Sequence, residues 1–74
     1  SIKSGQFAKA IPRFNTVIEQ APTPEAYFYL GTALENLGKN KEAIDVYLKS
    51  KKLAANLTLS AFIDKRIAEI KNKN

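Results

Sequence analysis

Seventy-four residues without one cysteine or histidine exclude disulfides and thiolate metal sites, and they remove the commonest general base and metal ligand. A chain this short buries only about 60% of its unfolded surface, so it has room for one domain with a thin core. The formal charge of +5 is uneven: Lys/Arg and Asp/Glu balance over residues 1–48, and the whole excess lies in the last third.

No apolar run approaches the roughly 18 residues needed to span a bilayer. Ser1-Ile2-Lys3-Ser4-Gly5 opens the chain without a long apolar stretch, so it does not read as a signal peptide, and the default compartment is cytoplasmic. There is no methionine anywhere, and the chain is expected to be a fragment, a processed product or the ordered part of something longer.

Residues 5–20 place Phe7, Ala10, Ile11, Phe14, Val17 and Ile18 at steps of three and four, the spacing of one helical stripe. Pro12 falls inside this stretch and predicts a local bend, because it cannot donate to the carbonyl of Ala8. The helix ends before Pro22, since the residue preceding a proline is pushed out of the α region. Thr23 then suits an N-cap, Pro24 the first helical position, and Glu25 the positive end of the helix dipole.

The second helix is expected over about residues 24–37, with Tyr27, Leu30, Gly31, Leu34 and Leu37 inward and Gly38 closing it. Asn40 is the expected cap of a third helix, which carries Ala43, Ile44, Tyr47 and Leu48 inward and ends near Leu53-Ala54. Asn56 or Thr58 caps a fourth, about residues 58–71, striped by Leu59, Phe62, Ile63, Ile67 and Ile70. The tail Lys71-Asn72-Lys73-Asn74 is expected to fray. No sustained period-two alternation marks a strand.

A shift of 33 residues superposes the first helix on the third: Gly5 falls on Gly38, Ala10 on Ala43, Ile11 on Ile44 and Phe14 on Tyr47. The second and fourth align by the same shift through Leu30 with Ile63, Leu34 with Ile67 and Leu37 with Ile70. Gly31 falls on Asp64, which is the informative mismatch. Gly31 and Ala43 are expected to let two antiparallel backbones approach closely. Asp64 is tolerable there only if no further helix packs on it, so the fourth helix reads as a terminal cap with a polar outer side.

These residues resemble the tetratricopeptide repeat (TPR) family, whose unit is a helical hairpin of about 34 residues with a sparse aromatic, Leu-Gly, Gly, Ala and aromatic pattern. Tyr27, Leu30-Gly31, Gly38, Ala43 and Tyr47 match one complete unit; Gly5, Phe7, Ala10, Phe14 and Pro22 match the second half of a preceding one. Leu34, Asn40 and Ala55 depart from the family's usual aromatics and closing proline. The resemblance implies an all-α fold, a right-handed superhelix of antiparallel helical hairpins with about four helices, at the C-terminal end of a TPR array. Residues 5–21 would be the second half of one repeat, 24–55 a complete repeat and 58–71 a capping helix. Phe7, Ala10 and Phe14 would then pack on something further, either repeats upstream of Ser1 or another copy of the chain.

Catalysis is poorly supported. The acids Glu19, Glu25, Glu35, Glu42, Asp45, Asp64 and Glu69 are expected on scattered outward positions, and no glycine-rich phosphate loop is present. Asn56-Leu57-Thr58 fits a glycosylation acceptor, but a helix cap explains it without further assumption. No cofactor or metal is implied.

The favoured function is a non-catalytic protein–protein interaction scaffold. By resemblance, the first helix of each hairpin lines a concave face that holds a peptide or partner helix. Its residues here would be Phe28, Thr32, Glu35 and Asn36, with Lys65 from the fourth helix. Thr32 and Phe28 stand where the family's carboxylate-clamping members place Asn and Lys, which argues against that mode of binding. The alternative is a basic C-terminal patch, Lys49, Lys51, Lys52, Lys65, Arg66, Lys71 and Lys73, that binds an acidic protein or, less readily, nucleic acid.

Overall fold

The computed structural model describes residues 4–72. They form four helices: α1 (Ser4–Gln20), α2 (Pro24–Asn36), α3 (Asn40–Leu53) and α4 (Leu57–Asn72). No strand occurs among the described residues.

Local chemistry sets the helix ends. Pro12 is carried within α1. Thr23 is extended at φ −120° and ψ 155°, and its hydroxyl accepts from the Ala26 amide at 3.2 Å, with Pro24 at the first helical position. α2 closes at Gly38, whose φ of +81° is left-handed, the conformation that glycine adopts at least cost. The Gly38 amide donates to the Glu35 carbonyl at 3.0 Å and the Lys39 amide to the Leu34 carbonyl at 2.9 Å, the paired bonds of a Schellman turn. That turn uses only Gly38 and Lys39, so α3 already begins at Asn40. The expected Asn40 cap is therefore not made; Lys39 holds the cap position without a side-chain bond. Asn56, rather than Thr58, caps α4, its Oδ1 accepting from the Leu59 amide at 2.7 Å. α4 stays helical through Lys71 and Asn72, so fraying is not seen at those two residues; Lys73 and Asn74 lie outside the described residues.

α2 packs against both α1 and α3, and α4 lies on α3. The core joins Leu30 and Leu34 of α2, Ala43 and Tyr47 of α3, and Ile63, Ile67 and Ile70 of α4, with Ile11, Phe14 and Ile18 of α1 at its edge. Two residues expected inward are not: Leu48 is 49% exposed and Phe62 54%. The buried line of α3 runs Ala43, Tyr47, Ser50, and that of α4 runs Ile63, Ile67, Ile70, so each exposed residue sits one position round from its line. Ser50 is fully buried because its hydroxyl donates to the Pro24 carbonyl at 2.7 Å, tying the end of α3 to the start of α2.

Gly31 has a more specific role than backbone approach to Ala43. A Cβ there would lie 2.7 Å from both Cδ1 and Cε1 of Tyr47, so it is the Tyr47 ring that occupies the space. Asp64, its counterpart on α4, is exposed and pairs with Lys51 at 2.7 Å.

Candidate partner-binding face

Positions three and four apart share a face of a helix, so Phe28, Thr32, Glu35 and Asn36 lie together beside the buried line of α2. Phe28 is half-buried. Its ring centroid lies 6.0 Å from Tyr29, 5.7 Å from Tyr47 and 5.6 Å from Phe62, the last edge-on across to α4. Tyr29 in turn stacks on Phe14 of α1 at 6.0 Å. Four rings thus run from α1 over α2 to α4, with Tyr47 beneath them, and such pairs add about 0.5–1.5 kcal/mol each beyond their area burial. Tyr29 and Phe62 are each 54% exposed.

Below the rings lies a polar chain. The Thr32 hydroxyl donates to the Phe28 carbonyl at 3.0 Å and sits 3.2 Å from the Tyr47 phenol oxygen. The Tyr47 hydroxyl donates to Glu35 Oε1 at 2.9 Å, and Arg66 Nη2 of α4 pairs with Glu35 Oε2. Arg66 Nη1 also reaches Glu69 at 2.9 Å. Asn36 is exposed, and its amide donates to the Thr32 carbonyl at 2.8 Å. The expectation that every acid faces outward fails at Glu35, which is 8% exposed. A carboxylate can be buried there because a phenol and a guanidinium supply the donors its lost water would have given.

The titrations follow from this geometry. Burial pushes the Tyr47 phenol above its ordinary value, the Thr32 contact opposes that, and the Glu35 hydrogen bond and charge add to it. The hydrogen bond to Glu35 raises the Arg66 guanidinium further, against a smaller effect of burial.

The five residues singled out from the sequence are thus partly united. Phe28, Thr32 and Glu35 all meet Tyr47, and Asn36 is bonded to Thr32. Lys65 is exposed on α4, where a shallow hollow of about 340 Å³ is lined by Thr58, Ala61, Phe62, Lys65, Arg66 and Glu69. Glu35 lies within the fold and is held by other side chains. Sequence reasoning missed Phe62 and Arg66 as parts of this face. Phe62 was findable, since the 33-residue shift places it on Tyr29, an aromatic outside the inward stripe of Tyr27, Leu30, Gly31, Leu34 and Leu37. For Arg66 the signal was its place as the single arginine among the lysines of the last third, beside Ile67.

Among the described residues no cluster of carboxylates could hold a metal ion, and no helix is long and apolar enough to cross a membrane. A family model described as Tetratricopeptide repeat matches residues 2–57. Comparison with curated proteins and with solved structures returned no match.

Proposed function

Because the chain belongs to the tetratricopeptide repeat family, whose repeats serve protein–protein interaction in general, we propose that it is a non-catalytic scaffold that holds a peptide or partner helix against the α2–α4 face. The observation that carries this reading is the pair of rings joining the two helices. Phe62 is half-exposed, meets the half-buried Phe28 edge-on, and lines one hollow with Lys65 and Arg66. An aromatic seated on a fixed neighbour loses little entropy when a ligand covers it, which is what a binding anchor requires. In the same reading residues 5–21 are the second half of one repeat, 24–55 a complete repeat, and 58–71 a cap.

The test is selection of peptide binders against the 74-residue chain, mapped by amide chemical shifts. Binders that perturb Phe28, Thr32 and Phe62, and lose roughly thirtyfold or more in affinity on Phe62→Ala with helicity unchanged, support the proposal, since anchor truncations cost about 2 kcal/mol or more. A second reading has one observation behind it: Leu48, Lys49, Lys51 and Lys52 line another hollow, of about 460 Å³. Binders that map to those lysines, and whose affinity collapses between low and moderate salt, would replace the α2–α4 face with that basic patch.

A further inference from the structure

Residues 46–63 hold no Asp or Glu but include Lys49, Lys51 and Lys52. The stretch is the end of α3, the Ala54-Ala55-Asn56 link and the start of α4. Three of its leucines are open to water: Leu48 is 49% exposed, Leu53 45% and Leu57 87%. Leu53 ends α3 and Leu57 begins α4, so they flank the link, and Ala55 between them is exposed too. Lys49 lies three positions before Lys52 and four before Leu53, which puts these side chains on one face of α3. Leu48, Lys49, Lys51 and Lys52 together line the basic hollow of about 460 Å³.

The fold itself does not call for this composition. α2 and α3 each carry an acid in the first turn, Glu25 and Glu42, where the helix dipole favours one; α4 has none there and opens on Leu57. Lys51 and Lys52 suit the negative end of α3, and Lys51 is paired with Asp64. Lys49 and Lys52 enter no ion pair among the described residues. Single exposed leucines are ordinary on a protein surface, but leucines grouped with lysines in a stretch free of acids mark a contact.

We propose that the α3–α4 turn docks on the surface of an anionic lipid bilayer, with Leu53 and Leu57 entering its interfacial layer and Lys49 and Lys52 meeting the headgroups. Docking of this kind lies on the membrane, and no helix among the described residues is long and apolar enough to cross one. Charge sets the sign of the partner: cations beside the tip and no acid near it in the chain require a negative surface. Shape chooses a bilayer over an acidic protein. A leucine standing out from a turn is a protrusion; a folded partner must offer a pocket cut to receive it, whereas lipid closes around any apolar tip. The cations are of the same character. Lysines supply a diffuse positive field, while the planar fork of Arg66 is already engaged with Glu35 and Glu69. The proposal stands apart from the α2–α4 face, and its failure leaves that face untouched.

The chain has no tryptophan, so Leu57→Trp introduces a single fluorophore at the tip. Titrated with vesicles of phosphatidylserine and phosphatidylcholine in equal parts, its emission should shift to the blue and be quenched by brominated acyl chains. Vesicles of phosphatidylcholine alone should do neither. In cosedimentation with the anionic vesicles, Lys49→Gln combined with Lys52→Gln should weaken binding roughly 25-fold, since each cation near an anionic surface contributes about fivefold. Leu53→Ser combined with Leu57→Ser should weaken it roughly tenfold or more, the worth of burying a leucine side chain. All four side chains are exposed, so circular dichroism should show the helicity of the parent in both variants. No binding to the anionic vesicles overturns the proposal, and so does equal binding to phosphatidylcholine alone. Binding without the blue shift overturns it as well, because the lysines would then act without the tip. Tighter binding to polyglutamate than to the anionic vesicles would make an acidic protein the occupant in place of lipid.

Discussion

Replacing Arg66 with leucine tests whether α4 is held by its apolar stripe alone. The Glu35 side chain is 4% exposed and the Arg66 side chain 32%. Removing one partner of a fully buried pair costs about 3–5 kcal/mol, because the remaining charge has lost both water and its counter-ion. Here the cation is a third exposed, so solvent already screens part of the pair, and Tyr47 still donates to the carboxylate. We therefore expect Arg66→Leu to lose about 2 kcal/mol. At about 4–8 °C per kcal/mol for a domain this small, the midpoint of a circular-dichroism melt should fall by roughly 8–16 °C. Glu35→Leu combined with Arg66→Leu should cost less than the two single changes added together, since neither charge is then left behind; the expected coupling is about 1–3 kcal/mol. Arg66→Lys keeps the charge but loses the fork that spans Glu35 and Glu69, so it should fall between. A loss below about 0.5 kcal/mol for Arg66→Leu, the range of ordinary surface substitutions, would refute the reasoning, as would strict additivity of the pair.

Gly31→Ala should destabilise by about 1–2 kcal/mol: overpacking against the Tyr47 ring outweighs a gain in helix propensity of up to about 1 kcal/mol. An unchanged urea midpoint would show that the ring can step aside. The raised Tyr47 pKa makes a signed prediction. Below the unfolded value of about 10 the phenol is protonated in both states and its contribution is intact. Above it the unfolded chain ionises first, so stability falls as pH rises toward the folded value. Melting curves from pH 8 to 11.5 should show a steeper alkaline loss for the parent than for Tyr47→Phe; parallel profiles would contradict the shift. Ser50→Ala removes the 2.7 Å bond to the Pro24 carbonyl and should cost about 1–2 kcal/mol, read from chemical denaturation.

What could be read from the sequence, and what could not, divides by range. Thr23-Pro24 and Gly38 mark helix ends through bonds to residues a few positions away, so those ends were visible in order along the chain. Aliphatic core positions such as Leu30, Leu34, Ile63 and Ile67 followed from helical period. Ser50 and Glu35 did not. A polar residue is assigned to the surface until its partner is known, and their partners are Pro24 and Arg66, 26 and 31 positions distant. Leu48 and Phe62 erred the other way: an apolar residue one position off a stripe is buried only if a neighbouring helix reaches that far. On the face itself, Phe28 could be placed off the main stripe, but the rings packed around it depend on how α1 and α4 settle against α2.

That settling has an electrostatic component that a thin core needs. Ile63, Ile67 and Ile70 give α4 an apolar contact, and aliphatic contacts alone define the rotation of a helix loosely. Asp64 and Arg66 are two positions apart, hence roughly 200° round the helix axis. The first pairs with Lys51 of α3 and the second with Glu35 of α2, so α4 is held on opposite flanks by two different helices. Turning α4 in either direction would lengthen one of the two pairs. The flank pair at Asp64 is exposed and contributes little, while the pair at Glu35 is mostly buried and carries the larger cost of rupture. Glu35 also receives the Tyr47 hydroxyl, and Tyr47 meets Thr32 and the Phe28 ring. The spacing between Phe28 and Phe62 is therefore tied to the same carboxylate that fixes α4. A substitution at Glu35 or Arg66 should disturb the ring contact, and with it any ligand seated there, even though Glu35 itself is largely hidden from that ligand.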